Sequence, residues 1–253
     1  MPLSSDPRSV SIWNALAERA YRLRVPLLAV PFLIAMAENA RHPHPLWEAT
    51  YRLAGGSSPI GPLLRHILML PALLLYAAAL GVRLSASASL GSRTVWSSVP
   101  VADHIETGGL FGIVRHPLYL GSAGLIVALS MVSSLEGASA LLLLDIPLLA
   151  VFALHEERLL ASLTPEFDRY KRNVPAFWPR WPMPDKIFAQ VLRSLDRDGG
   201  AALRSESANV SLLGGFLAFW ITPDLTFFWT AALLSFLIAF TAPHWWKKKG
   251  EAP

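Results

Sequence analysis

Apolar runs of about membrane-spanning length alternate along the chain with short stretches rich in Gly, Pro and charge, a pattern that predicts an all-α, polytopic transmembrane bundle of about six spans. Ile12, Leu16, Ala20 and Leu23 recur at intervals of three and four, with Glu18, Arg19 and Arg22 on other faces, so the chain opens on an amphipathic helix lying in the membrane interface. Residues 25–37 are apolar and reach spanning length by recruiting 21–24 and 38–40 as interfacial ends. The stretch 41–62 carries His42, Pro43, His44, Pro45, Gly55, Gly56 and Pro59 and reads as a turn-rich polar loop. Residues 67–82 are the second span, with Pro71 as a tolerated kink and Arg65 snorkelling to the surface. After a Ser- and Gly-rich loop over 83–107, spans at 118–135 and 138–154 form a tight hairpin. Ile187, Phe188, Val191, Leu192 and Leu195 share a helical face away from Lys186, Arg193 and Arg197, a second interfacial helix that Gly199 and Gly200 break over 198–208. Residues 210–221 and 225–242 flank Pro223-Asp224 and read as a closing hairpin, or as a re-entrant segment followed by one span.

Composition agrees with a membrane protein. Of 253 residues 53% are hydrophobic and 16% charged, more apolar sequence than one soluble core uses. The net charge of +4 is not arranged as a basic stripe interleaved with aromatics, so nucleic acid is not an expected partner. It serves orientation instead: with six spans and the N-terminus inside, all of the 22 Lys and Arg except Arg41, Arg52 and Arg65 fall on the inner side, which predicts cytoplasmic N- and C-termini. Residues 1–11 have no hydrophobic region, so the first span is expected to act as its own insertion signal. The absence of cysteine excludes disulfides, thiolate zinc sites, Fe–S clusters and a Cys nucleophile.

The hairpin of 118–135 and 138–154 sets the candidate chemistry, because it returns the polar residues at its two ends to one membrane surface. Arg115, His116 and Tyr119 are thereby expected beside Glu156 and Glu157, at the mouth of a helix pair on the cytoplasmic side. Pro117 suits a first helical turn, where its missing N–H is no loss. Tyr119, three residues after His116, lies on the same face. Arg115, His116 and Tyr119 also read as interfacial anchors, and the two glutamates as solvated charge at a helix end. Glu156 and Glu157 diverge by about 100° on a helix, so only one of them is expected to face a pocket. Asp145 lies within the fourth span ahead of Pro147, a buried carboxylate for which a hydrogen bond across the bundle is one reading. His155 has no second ligand at clear spacing, so no metal site is expected.

Taken together, Arg115-His116-Pro117-x-Tyr119-x-Gly121, an apolar hairpin, Glu156-Glu157, then Leu160, Tyr170, Val174-Pro175 and Pro179 resemble the isoprenylcysteine carboxyl methyltransferase and phospholipid methyltransferase family of integral membrane enzymes. The likeness covers about residues 90–179. It implies S-adenosylmethionine bound in a cytoplasm-facing pocket and a lipid or hydrophobic small-molecule acceptor entering from the bilayer of the cell or inner membrane. Carried over residue by residue, it implies that Arg115, His116, Tyr119, His155 and Glu156 are cofactor-side residues, and that Glu157, Tyr170 and Arg172 are catalytic or acceptor-side residues. With the spans read from the pattern, the chain divides into an interfacial helix with two spans (1–82), a methyltransferase-like core (83–184) and an interfacial helix with a closing hairpin (185–253). Three places depart from the family pattern: Gly109-Leu110-Phe111 stands for Gly-Pro-Tyr, Leu163-Thr164 for Phe-Gly, and Phe167 for the first of two tyrosines. Two other classes stay open: an NADPH-dependent membrane reductase of the sterol-reductase type, for which Arg169, Lys171 and Arg172 are candidate phosphate partners, and a non-catalytic membrane scaffold.

Overall fold

The longest helix, residues Gly61–Leu90, is the one on which much of the chain packs. The computed structural model describes residues 16, 18–42, 44–54, 59–90, 105–179, 187–222, 227–235 and 237–238, and every regular element among them is helical. In chain order these are α1 (Arg24–Arg41), α2 (Leu46–Leu53), α3 (Gly61–Leu90), α4 (Pro117–Met131), α5 (Leu135–Leu163), α6 (Glu166–Asn173), α7 (Ile187–Ser205) and α8 (Ser207–Ile221), followed by helical residues 227–235. Ile12, Gly55, Gly56, Lys186, Pro223, Asp224, residues 91–104 and residues 239–242 lie outside the described residues, as do the side chains of Ile187, Phe188, Val191 and Arg197.

Among the described residues two helices, α3 and α5, are long and apolar enough to cross a membrane. The helices α4 and α8 are apolar but 15 residues each. At 1.5 Å per residue that is about 22 Å, short of a hydrocarbon core of about 30 Å.

The first eight residues of the loop expected over 83–107, Arg83–Leu90, are instead the last two turns of α3. Ser85, Ala86, Ser87 and Ala88 are buried, and their small side chains admit α7 against this helix. The Ser85 and Ser89 hydroxyls donate to the carbonyls of Gly81 and Ser85 at 2.8 and 3.1 Å, so serines that favour turns elsewhere stay helical here. Small residues also set the α3–α4 contact. A Cβ on Gly124 would stand 2.7 Å from the Ala79 Cβ, and one on Gly121 3.0 Å from the Ala79 carbonyl oxygen.

The hairpin turns earlier than expected: α4 stops at Met131 and α5 starts at Leu135. Ser134 caps α5 by accepting from the Gly137 N–H at 3.2 Å, and its own N–H donates to Asn39 of α1 at 2.7 Å. The loop expected over 41–62 contains α2, which begins where the Leu46 N–H donates to Ser133 O at 2.9 Å. His44 and Arg52 pair with Glu48 along that helix at 2.9 and 3.0 Å. Nor do Gly199 and Gly200 end α7; it kinks at Asp198 and continues to Ser205.

The core crosses the three sequence regions. Ala35, Met69, Tyr76, Leu125, Leu141, Phe216, Phe228 and Trp229 belong to one buried cluster, in which the Tyr76 and Phe216 ring centroids lie 4.5 Å apart. The Tyr76 hydroxyl donates to Asn209 O at 3.0 Å, which satisfies its one polar atom.

Candidate functional site

The loop before α4 is shaped by a 3₁₀ turn, Gly109–Gly112, whose first residue has φ 55°, a left-handed conformation that suits glycine. That turn buries Phe111 and points its carbonyl at the Tyr170 hydroxyl, which donates to it at 2.7 Å. Burial pushes the Tyr170 phenol up from its ordinary value, so it stays a donor. The segment after α6 then runs beside the loop: Arg115 N–H donates to Pro175 O at 2.8 Å and His116 N–H to Ala176 O at 3.1 Å. These two bonds join regions sixty residues apart and bring the Arg-His-Pro stretch against the end of α5.

Glu157 is the point where this assembly converges. Arg115 donates to its Oε1 through Nε at 2.9 Å and through a terminal nitrogen at 2.6 Å, His116 Nε2 lies 3.1 Å from the same oxygen, and Lys171 Nζ is 2.9 Å from Oε2. Arg115 also donates to the carbonyls of Lys171, at 3.0 Å, and Val174. A buried carboxylate costs several kcal/mol unless it is paired, and here both of its oxygens are. Glu157 therefore ties α5, α6 and the loop together.

Its neighbour Glu156 points elsewhere. It lines a cavity of about 450 Å³, as do Arg115, His116, Tyr119 and Tyr170. Tyr119 lies beside Glu156 and Tyr21 in the same lining, and its ring lies 5.7 Å from that of His116. The Phe177 ring lies 5.4 Å from that of His116. Arg24 sits 4.5 Å over the Tyr21 ring, and both border the same space.

Of the eight residues carried over from the sequence, five thus meet around one cavity. Three do not line it. Glu157 stands behind Arg115 and His116, His155 stacks on Tyr21 at 5.2 Å, and Arg172 is exposed on α6. The structure adds Tyr21, Arg24, Arg83 and Glu106 to the lining. Arg83 donates to both carboxylate oxygens of Glu206, at 2.7 and 2.9 Å, and to Ser122. Ser87 and Asn209 donate to the same carboxylate at 2.8 and 2.7 Å. The one sequence signal for this network is a charge at the end of each apolar run; nothing in the spacing pairs residues 83 and 206.

Away from the polar mouth the walls become Phe32, Leu125, Ile126, Leu129, Leu141 and Leu149, with Asp145 among them. Among the described residues one oxygen of that carboxyl, Oδ1, has no hydrogen-bond partner. Ligand cavities of about 300–1,000 Å³ with a few convergent polar groups are typical of small-molecule sites. This one gathers ionic side chains around Arg115 and Glu156 and is mostly apolar elsewhere, so it suits a charged molecule at one end and a hydrocarbon at the other.

No family model matches the chain, and no solved structure matches it. Over 77 residues it is 36% identical to the cobalt-zinc-cadmium resistance protein CzcN of Cupriavidus metallidurans and, equally, to the nickel-cobalt-cadmium resistance protein NccN of Alcaligenes xylosoxydans xylosoxydans. Each match covers 30% of this chain and 36% of the relative, so the chain spans about a third of the length of the curated relatives it matches.

Proposed function

We propose that the protein is an integral membrane methyltransferase that takes a methyl group from S-adenosylmethionine and gives it to a lipid or other hydrophobic acceptor. The observation that carries this reading is the cavity whose mouth gathers Arg115, His116, Tyr119 and Glu156 and whose interior is apolar. The residues present fit the cofactor: Glu156 offers a carboxylate to an ammonium or to ribose hydroxyls, Arg24 offers a cation to a carboxylate, His116 offers a ring face, and Tyr119 offers a ring face and a hydroxyl. When bound, S-adenosylmethionine supplies an electrophilic methyl on a sulfonium. The chain's part is then to hold and align, which contributes on the order of 7–11 kcal/mol in well-oriented reactions. A carboxylate acceptor needs no base. For a thiol or amine, His116 is the base at hand: donation from Nε2 to Glu157 leaves Nδ1 free to take a proton. His155, the other histidine considered from the sequence, does not line the cavity.

In this reading α1, α3, α4, α5, α8 and the helix begun by residues 227–235 make six spans, both termini are cytoplasmic, and the mouth opens to the cytoplasm. Short helices such as α4 are accommodated in a bundle by interfacial residues at their ends. The NADPH alternative has less support, because Lys171 is committed to Glu157.

The test is titration with S-adenosylhomocysteine and with NADPH in detergent, followed by thermal unfolding. Stabilisation by the first and not the second is expected, with His116→Ala and Tyr119→Phe weakening it about tenfold while the protein still folds. Stabilisation by NADPH alone would transfer the site to the reductase class. A second reading, a part in resistance to cobalt, zinc, nickel or cadmium, comes from the names of the two relatives. Unchanged growth of a deletion strain on those metals removes it.

A further inference from the structure

The helix α5 buries a carboxyl in the apolar part of the cavity. Asp145 closes a five-residue π-helical turn, Leu141–Asp145, and Pro147 follows two residues later. A proline inside a helix removes one N–H and crowds the carbonyl four residues back, and a widened turn ahead of it accommodates both; such turns occur often at functional sites. Here the turn leaves Leu142, Leu143 and Leu144 exposed while Leu141 and Asp145 stay 1% and 3% exposed. Leu141, Asp145, Leu149, Phe152, Glu156 and Leu160 consequently form one column of α5 along the cavity wall. From Asp145 to Glu156 is eleven residues, about 16 Å at 1.5 Å per residue.

Oδ1 of Asp145 is buried and has no hydrogen-bond partner among the described residues. The hydroxyls of the lining serines Ser122, Ser205 and Ser235 each donate to a helix carbonyl, and the Asn209 amide donates to Glu206. An unpaired buried acceptor in a native fold calls for an explanation, because leaving it unpaired is costly and apolar replacement would remove that cost. An intramembrane ionisable residue facing a cavity is by default a site for something that enters it.

We infer that Asp145 recognises a hydrogen-bond donor, a hydroxyl or an amine, carried by a hydrophobic ligand that fills the apolar part of the cavity. As a statement about the methyl acceptor this rests on the transferase reading above; as a ligand site it rests on the cavity and Asp145 alone. The ligand's donor lies at its buried end, roughly 16 Å from groups held at Glu156. Sites built around a polar group reject analogues that leave it unpaired far more strongly than apolar sites reject a change of size.

The experiment uses the full chain in nanodiscs of zwitterionic lipid, titrated with 1-dodecanol, dodecylamine or dodecyl methyl ether and read by thermal unfolding. The wild type is expected to respond to the alcohol and the amine at about tenfold lower concentration than to the ether. Asp145→Leu should lose that preference. Asp145→Asn keeps an acceptor but no charge, so it should retain the preference for the alcohol and lose that for the amine; it decides the matter should the leucine variant fail to fold. Equal responses of the wild type to all three, or an undiminished amine preference in Asp145→Asn, overturn the proposal. Titration of the same samples with S-adenosylhomocysteine separates the two ideas: no binding there, with the alcohol preference intact, removes the transferase reading and leaves the Asp145 site standing.

Discussion

At the residue scale the two adjacent glutamates divide the work. Glu157 neutralises Arg115 and accepts from His116 and Lys171, whereas Glu156 meets Tyr119 at the cavity wall. Removing the charge of Glu157 leaves Arg115, whose side chain is 9% exposed, without a counter-ion. Glu157→Gln is therefore expected to destabilise the protein by about 3 kcal/mol, as breaking a buried pair does. Glu156→Gln should leave the unfolding temperature nearly unchanged and weaken S-adenosylhomocysteine about tenfold. Thermal unfolding and calorimetric titration of both variants check this, and matching phenotypes would refute the division.

At the scale of elements, close helix approach is bought with glycine at some positions and not at others. A side chain at Gly121 would press on the Ala79 carbonyl and on Arg83, so Gly121→Val should cost about 1–3 kcal/mol. A Cβ at Gly81 meets nothing within 4 Å, and Gly81→Ala should be neutral or stabilise slightly through helix propensity. Chemical denaturation in mixed micelles compares the two; equal losses would mean that α3 and α4 are not in close contact. The short helix α2 makes a different prediction. Partial burial acts to raise the Glu48 carboxyl, but hydrogen bonds from Arg52 and His44 outweigh it and hold it below its ordinary 4.5. A group depressed in the folded state stabilises above its unfolded pKa, and the contribution is lost as pH falls through the folded value. Wild type should accordingly exceed Glu48→Gln in unfolding temperature at pH 7, and the gap should close on acidification below about 4.5.

On the scale of the whole molecule, one core unites α1, α3, α4, α5 and α8, so the three regions read from the sequence do not pack as separate units. In the proposed six-span arrangement the charge distribution sets the expected orientation. Only Arg41, Arg52 and Arg65 lie on the outer side of the six-span arrangement, and a topology reporter inserted between residues 58 and 59 is expected to read outside, with tags at both termini inside. A cytoplasmic signal from that insertion would overturn the arrangement.

What the amino-acid order determined by itself is the part of the structure that depends on local pattern. Apolar periodicity is a property of neighbouring residues, so the longer helices, the α4–α5 hairpin and the meeting of Arg115, His116, Tyr119 and Glu156 were legible in it, whereas the short α2 and α6 were not. Helix ends were less so: residues 83–90 look like a loop until α7 covers their small side chains, and Gly199-Gly200 looks like a break until packing outweighs a propensity cost of about 1 kcal/mol per glycine. Only the tertiary structure decided which glutamate faces the cavity, that Arg83 answers Glu206 from 123 residues away, and that one oxygen of Asp145 has no partner among the described residues. Those outcomes depend on which side chains arrive from distant segments, and no spacing along the chain encodes that arrival.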